Sequence, residues 1–491
     1  MRALRRKFMV DILARRRAGV LLHPTSLPGS DETGTLGASA FRFVDFLRRG
    51  GFSVWQTLPL GPVDSFQSPY CLSSAYAGDV RLIDIDGLRG LPELPGGMPL
   101  DIVRSDPAAM YQSFRRTANP AQATLFAKFM HRHRRWLFAY GMFELCRQRF
   151  RGDPWWLWPQ AFRQRDWDTL VKAVAEDKDV FRSFVFQQYL FELQWMNLKR
   201  YANEQGVFIF GDLPFYMDRN SVDVWWSKRF FALDENDAPV SVAGVPPDYF
   251  NEDGQLWGNP LYDWEALRAD KFLWWQARIA AQLRRFDMLR IDHFRALESY
   301  WSVPANADTA KEGHWEAGCG AELLSSISTQ ERRCLVAEDL GIITNAVREL
   351  RDRFSLPGMA VLQFGFDGTR DNPHLPDNLA EHSIVYSGTH DNDTLLGWYQ
   401  NLDGATRAYV LNLLSAAEES MPAHMIDVAY QTRAKLAVFP LQDLLGLDSS
   451  ARMNVPGKAE GNWGWRFQWS QINDSIERDA LSRARESDRL V

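Results

Sequence analysis

Cysteine is scarce in this chain of 491 residues, which contains only four cysteines. They form neither a C-x-x-C pair nor any spacing typical of a zinc site. The sequence therefore predicts reduced cysteines in a cytoplasmic protein, and no metal ion or other cofactor. The four positions are Cys71, Cys146, Cys319 and Cys334.

Long apolar runs and a strong charge excess are also missing. No stretch of about 18 apolar residues occurs, so we expect no transmembrane helix. The short apolar stretch at residues 8–14 is broken by Asp11, which argues against a signal peptide. Lys and Arg number 56 and Asp and Glu number 62, which gives a net charge of −6 without a basic cluster. We therefore expect neither a nucleic-acid partner nor a membrane partner.

Aromatic residues, in contrast, are abundant, with 19 Trp, 14 Tyr and 31 Phe. Most of them are expected to fill a large hydrophobic core, because buried aromatic side chains dominate core packing. The remainder could offer flat surfaces to an amphipathic ligand such as a sugar ring.

Eight apolar runs end in polar, glycine or proline residues, and helix-period segments lie between many of them. Continuous apolar runs are typical of strands buried on both faces of a parallel sheet, and strand–helix alternation indicates βα units. The pattern predicts an α/β fold, a (β/α)8 TIM barrel in one catalytic domain over residues 1–491. The runs are residues 18–23, 53–59, 206–212, 286–291, 334–337, 358–366, 383–387 and 434–440; the helical segments include 38–49, 191–204, 265–285, 345–354 and 404–419.

The spacing of these runs is uneven, which indicates inserted material. We expect a largely helical insertion at approximately residues 67–188, after the second strand. A second insertion, rich in Gly, Pro and aromatic residues, is expected at residues 213–264, after the third strand. Loops of this length inside a compact domain are usually functional.

Charged residues follow three of the apolar runs. Arg290 and Asp292 lie two residues apart, so both side chains are expected on one face of the strand. A neighbouring guanidinium favours an ionised carboxylate, which suits a nucleophile. Glu338 follows the next run, and its apolar flank should raise its pKa and suit it to acid/base work. Asp391, with His390, could hydrogen-bond to sugar hydroxyls.

Each of these features alone has a simpler reading. Arg290 and Asp292 could form a structural salt bridge, Glu338 could cap a helix, and His390 and Asp391 could be structural or bind a metal. Together, in this order at the ends of barrel strands, they favour a carbohydrate-active enzyme. The pattern resembles the α-amylase clan of retaining glycosidases.

Within that clan, several further blocks are similar to amylomaltases, the 4-α-glucanotransferases of glycoside hydrolase family 77. They span roughly residues 18–468, nearly the whole chain. The blocks are His23-Pro-Thr-Ser-Leu-Pro28, Ser68-Pro-Tyr70, Gly211-Asp-Leu-Pro214, Gly244-Val-Pro-Pro-Asp-Tyr-Phe250, Trp257-Gly-Asn-Pro-Leu-Tyr262, Arg290-Ile-Asp-His-Phe-Arg295, Asn454-Val-Pro-Gly457 and Gly461-Asn-Trp-Gly-Trp-Arg466.

The resemblance implies a role for each matching residue. Asp292 is expected as nucleophile, Glu338 as general acid/base and Asp391 as transition-state stabiliser. The loop 244–250 is expected to form a lid on the acceptor side, and no C-terminal β-sandwich is expected. The other residues expected at the substrate are Arg290, His390, Tyr70, Asp212, Trp257, Asp248, Tyr249, Phe250 and Asn462.

Three positions depart from the family pattern. Ala296 and Cys319 stand where glycine and proline are expected, and Cys71 stands where glutamine is usual. These departures concern the fine structure of the subsites and the preferred chain length rather than the chemistry.

The sequence thus predicts transfer of an α-1,4-glucan segment from a donor maltodextrin to the 4-OH of an acceptor glucan or glucose. Maltooligosaccharides and α-1,4-glucans are the expected partners, and the protein is expected as a monomer or homodimer. A hydrolase of the same clan is the first alternative, since the same carboxylates serve both reactions. A non-catalytic glucan-binding protein is the second, although it predicts a lost carboxylate and none is lost.

Overall fold

The structure, a computed structural model, describes residues 11–29, 32–247, 252–458 and 460–491. Eight parallel strands form one sheet in the order β10-β11-β12-β1-β2-β3-β6-β9. The amide of Ala337 donates to the carbonyl of Pro357 at 2.9 Å, which links the two ends of this sheet into a nearly closed barrel. The strands are β1 Arg17–Leu21, β2 Val54–Gln56, β3 Phe208–Leu213, β4 Ser241–Val245, β5 Gln255–Pro260, β6 Met288–Ile291, β7 Ser299–Pro304, β8 His314–Ala317, β9 Leu335–Ala337, β10 Gly358–Val361, β11 Ser383–Tyr386 and β12 Leu436–Pro440.

The predicted (β/α)8 architecture is confirmed, and each of the eight apolar runs contains one barrel strand. Helices surround the barrel, and no C-terminal β-sandwich occurs among the described residues. The helices are α1 Ala38–Arg49, α2 Ile85–Leu88, α3 Pro107–Thr117, α4 Pro120–Arg149, α5 Gln160–Arg163, α6 Trp167–Glu176, α7 Lys178–Glu204, α8 Val222–Trp226, α9 Trp264–Ala269, α10 Leu273–Arg285, α11 Gly320–Ser326, α12 Thr329–Arg332, α13 Asn345–Arg353, α14 Leu395–Asn401, α15 Gly404–Leu414, α16 Ala423–Gln431, α17 Leu441–Leu444 and α18 Asp474–Glu486.

Alternate residues of each barrel strand pack into two separate hydrophobic clusters. Phe210, Met288 and Val336 belong to the cluster inside the barrel, whereas their neighbours Ile209 and Leu289 pack in the outer layer toward the helices. Because side chains two residues apart share a face, the residues two positions after the inner ones also point inward. These residues are Asp212, Arg290 and Glu338.

The helical insertion lies between β2 and β3 and contains α2 to α7. The expected end at residue 188 falls inside α7, which continues to Glu204 and leads into β3. The insertion and the barrel therefore share one helix. The expected helical segment 265–285 is divided into α9 and α10, because Lys271 and Phe272 adopt left-handed φ values of 57° and 56°.

A second sheet, which the sequence did not predict, lies beside the barrel. It has four antiparallel strands in the order β5-β4-β7-β8. The strands β4 and β5 come from the segment predicted as a long loop at 213–264, and β7 and β8 come from the loop after β6. The sheet thus joins the loops that follow two neighbouring barrel strands, β3 and β6.

Candidate active site

The candidate catalytic carboxylates follow neighbouring barrel strands in matched register. Ile291 of β6 pairs with Ala337 of β9, and Asp292 and Glu338 come immediately after this pair. The pairing extends one residue further, because the amide of Glu338 donates to the carbonyl of Ile291 at 3.1 Å. The two carboxylates are therefore held on adjacent strands at the same end of the barrel.

Arg290 connects the side chains around Asp292. It is the register partner of Asp212 on β3, and its Nη1 donates to Asp212 Oδ2 at 2.6 Å. Its other terminal nitrogen, Nη2, lies 2.8 Å from Asp292 Oδ1. Because one guanidinium contacts both carboxylates, Arg290 fixes the orientation of Asp292.

Asp212 is fully buried, with a side-chain exposure of 0%. It accepts hydrogen bonds from Arg290 and from the hydroxyl of Tyr70, the latter at 2.7 Å. Burial raises the pKa of Asp212, while the charge of Arg290 lowers it. Asp212, predicted to lie at the substrate, thus contacts Arg290 and Tyr70 in the structure.

Tyr70 and His390 form the opposite side of this network. Their rings are stacked with centroids 5.3 Å apart, and Tyr70 Oη lies 2.9 Å from His390 Nε2. Since Tyr70 donates its single hydroxyl hydrogen to Asp212, the hydrogen between Tyr70 and His390 must come from His390. His390 Nε2 also lies 3.4 Å from Asp391 Oδ2.

Glu338 is held by two backbone amides. The amide of His293 donates to Oε2 at 2.7 Å, and the amide of Leu340 donates to Oε1 at 3.2 Å. Burial raises the pKa of Glu338 to about 8, with a further increase from the charge of Asp292 and a partial decrease from Arg290. A pKa of about 8 keeps Glu338 mostly protonated at neutral pH.

His293 takes an unusual backbone conformation to reach Glu338. Its φ of 48° and ψ of 47° place it in the left-handed region, which is uncommon for residues other than glycine and is often found at functional sites. Trp257, on the exposed strand β5, packs edge to face against the His293 ring with centroids 4.9 Å apart. Burial lowers the pKa of His293 to about 4, so its imidazole is neutral at pH 7.

Asp391 lies in the loop after β11 and is bound by the C-terminal loop of the chain. Asn454 Nδ2 donates to Asp391 Oδ1 at 2.7 Å, and Arg452 donates to the Asp391 carbonyl at 2.7 Å. Asn462 accepts from the amide of Val455 at 2.9 Å. Its side chain thus braces the loop that carries Asn454.

Comparisons with known proteins identify the family. A family model described as 4-alpha-glucanotransferase matches residues 22–472. The chain belongs to the 4-alpha-glucanotransferase family. A 4-alpha-glucanotransferase of Thermus thermophilus is 42% identical over 96% of this chain and 98% of its own length. The chloroplastic/amyloplastic enzyme of Arabidopsis thaliana is 41% identical over 98% of this chain and 85% of its own length.

A solved structure agrees with this assignment. Amylomaltase from Streptococcus agalactiae, in complex with acarbose, is 31% identical and matches with a TM-score of 0.89, over 97% of this chain and 100% of that one. The activity of this family member is therefore 4-alpha-glucanotransferase activity, and the hydrolase alternative is not favoured. Glucans are accordingly its substrates.

Three residues around the carboxylates of this 4-alpha-glucanotransferase were missed as individual site residues. His293 and Asn454 contact Glu338 and Asp391 directly, and the Trp463 ring lies 6.0 Å from that of His390. All three occur in blocks that carry the family resemblance, and this position in the sequence could have identified them as site residues. Asp248, Tyr249 and Phe250, predicted for the lid, lie outside the described residues.

None of the helices in the described part of the chain combines the length and the apolar character that a membrane span requires. No cluster of three or more His, Cys, Asp or Glu side chains in that part of the chain has a geometry suited to a metal ion.

Proposed function

We propose that the chain transfers α-1,4-glucan segments by a retaining double displacement, with Asp292 as nucleophile and Glu338 as general acid and base. The observation that carries this proposal is the contrast between the two neighbouring carboxyl groups. Asp292 contacts a guanidinium at 2.8 Å, whereas burial raises the pKa of Glu338 to about 8. An ionised and a protonated carboxyl at one sugar bond are what this chemistry requires.

In the first step, an Asp292 oxygen attacks the anomeric carbon while Glu338 gives its proton to the departing O4. The products are a covalent glucosyl-enzyme and a free 4-OH on the leaving glucan. In the second step, Glu338 takes the proton from the 4-OH of an acceptor glucan, which displaces Asp292 and restores an α-1,4 bond. Retention predicts carboxyl groups about 5–5.5 Å apart.

Asp391 and His390 are proposed to hold the sugar ring during its distortion. The Asp391 side chain is 46% exposed, so it is accessible to a sugar hydroxyl. Asn454 and Arg452 fix its position from behind. Hydrogen bonds of this kind can strengthen as the transition state forms.

Trp257 is proposed to contact the acceptor sugar. Its ring is 39% exposed, and it packs on His293, the residue next to Asp292. Three of the predicted residues are proposed to act on the substrate indirectly, through a neighbouring side chain. Asp212 and Tyr70 hold Arg290 in place. Asn462 braces the loop that carries Asn454. We keep the lid role of Asp248, Tyr249 and Phe250 as a prediction.

The site of the reaction is proposed to be the cytoplasm. All four cysteines are free thiols in the structure, and three of them are buried. Unpaired cysteines in this number are typical of proteins from a reducing compartment.

Incubation with maltotriose tests the proposed mechanism. Transfer gives glucose and a ladder of longer oligomers, whereas hydrolysis gives only shorter sugars.

Asp292→Asn and Glu338→Gln should each lower kcat at least about a thousandfold, because each removes a group that takes part in both steps. Asp86→Asn, at an exposed surface carboxylate, is the matched control and should retain full activity. Normal turnover by Asp292→Asn would contradict the mechanism.

A further inference from the structure

A cavity of about 530 Å³ lies outside the barrel, between the inserted helix α4 and the helices α8 and α10. Its lining contains none of the residues assigned to the active site above. Pockets for small organic ligands commonly have volumes of about 300–1,000 Å³. The cavity is therefore large enough for a ligand of its own.

Part of the cavity lining is aromatic. Tyr76 and Trp136 lie nearly parallel, with ring centroids 6.1 Å apart and an angle of 15° between the rings. Trp226 and Trp274 line the same cavity, and all four rings are half-buried. Partly exposed aromatic faces favour a ligand that contains a flat ring.

The same lining also carries an excess of positive charge. Four arginines contribute to the lining, and in the described part of the chain none of them forms an ion pair with a carboxylate. Arg134 and Arg284 donate only to backbone carbonyls, those of His131 and Ala280. The four are Arg132, Arg134, Arg135 and Arg284.

Nearby carboxylates do not neutralise these arginines. Glu192 lies 3.6 Å from both His133 and Arg285, and its charge also acts on Arg284. Asp223 lines the cavity but is buried, and its Oδ2 accepts from the amide of Ala75 at 2.7 Å. The four lining arginines outnumber these two carboxylates, so the cavity keeps a net positive charge.

We propose that this cavity binds a nucleoside diphosphate, with the base against the aromatic rings and the phosphates on the arginines. A neutral glucan would use the aromatic faces but leave four guanidinium groups without a counter-charge. Guanidinium groups match phosphate geometry well because their planar donors can bind two oxygens at once. The combination of flat rings with clustered arginines therefore selects a planar base joined to a polyphosphate.

Titration calorimetry of the full-length enzyme with four probes tests this proposal. ADP contains both parts of the proposed ligand, adenosine lacks the phosphates, pyrophosphate lacks the base, and maltotriose carries no charge. We expect ADP to bind at least about tenfold more tightly than adenosine or pyrophosphate, because each lacks one set of contacts. The ADP affinity should also fall as salt is added.

Three results would overturn the proposal. Equal affinities for pyrophosphate and ADP would indicate a general anion site. Competition between maltotriose and ADP would indicate a glucan site. Failure of millimolar ADP to bind would exclude the nucleotide.

Single-charge variants on α4 locate the binding. Arg132→Gln should weaken ADP binding about tenfold, since a charge-assisted hydrogen bond is lost. Lys128→Gln removes one charge from an exposed position on the same helix outside the cavity and should change the affinity less than twofold. Both variants should transfer glucan normally, which shows that they are folded. Equal effects of the two changes would contradict the assignment to this cavity.

Discussion

At the scale of single residues, the proposed mechanism requires Glu338 to serve as an acid in one step and as a base in the next. Burial is the main cause of its raised pKa of about 8, and the charge of Asp292 adds to it. In the proposed glucosyl-enzyme that charge is gone, because Asp292 has become an ester. The pKa of Glu338 should then fall, which converts the proton donor into a proton acceptor.

Asp292→Asn, which removes the same charge, should therefore lower the pKa of Glu338 below about 8. The carbon-13 NMR shift of a labelled Glu338 carboxyl, followed through a pH titration, measures the change. Asp86→Asn is the control for this titration. An identical titration in both variants would show that Asp292 does not set the pKa of Glu338.

In the unchanged enzyme, kcat/KM should decline as the pH rises through about 8, where Glu338 loses the proton it must donate.

The sequence could place Asp292, Glu338 and Asp391 at one end of the barrel, because Asp292 and Glu338 directly follow strands and Asp391 lies in the loop after β11. The contacts of Asp391 with Asn454 and Arg452 could not be derived in this way, since they join residues that are 63 and 61 positions apart. The left-handed backbone conformation of His293 could not be predicted from the sequence either. It depends on a hydrogen bond to the neighbouring strand end and not on local preference.

At the scale of strands and helices, β3 carries Asp212 at its end and passes closely over a helix terminus. A Cβ atom on Gly211 would lie 2.3 Å from the ring of Phe286, which immediately follows α10. Phe286 is buried, so it cannot move aside freely. Gly211 is therefore required for the close packing of β3.

Gly211→Ala should destabilise the protein by about 1–3 kcal/mol, because overpacking a core forces shifts of this cost. The shift of β3 should also disturb the contact between Asp212 and Arg290 and reduce kcat. Urea denaturation and the maltotriose assay measure the two effects.

Gly404→Ala is the matched control, because a Cβ atom there would meet no atom within 4 Å. It should be neutral or stabilise by up to about 1 kcal/mol. Adding Phe286→Leu to Gly211→Ala should recover part of the loss. An unchanged denaturation midpoint for Gly211→Ala would contradict this account of the packing.

The sequence predicted the barrel strands but not the strands of the second sheet, because the two kinds of strand differ in burial. A strand such as β12 is buried at all five positions and reads as one apolar run. In contrast, β8 has three exposed residues out of four, and β5 has exposed Leu256 and Trp257. The second sheet also joins two segments far apart in the sequence, so neither hydrophobic pattern nor spacing could predict it.

At the scale of the whole molecule, Arg489 joins the end of the chain to the barrel. Its side chain is completely buried and donates to the carbonyls of Tyr430, Arg17 and Thr432 at 2.8, 3.0 and 2.9 Å. Arg17 begins β1, and the other two residues lie at the end of α16. One guanidinium therefore connects segments more than 400 residues apart in sequence.

Arg489→Ala should destabilise the protein by about 2–4 kcal/mol, because it leaves three buried carbonyl contacts without their charged donor. The denaturation midpoint in urea measures the loss. Arg485→Ala, at an exposed position in α18, the helix that precedes Arg489, should have little effect. Equal midpoints for the two variants would show that the contacts of Arg489 with β1 and α16 do not stabilise the protein.

The second sheet has a consequence for how an acceptor is received. Trp257 belongs to a segment that would be a long loop without the pairing of β5 with β4 and of β4 with β7. Because of that pairing, the segment loses its conformational entropy when the protein folds, before any glucan binds. With the proposed acceptor contact at Trp257, the acceptor sugar does not have to order this surface itself. More of its contact energy then remains available to compete with water for the proposed glucosyl-enzyme.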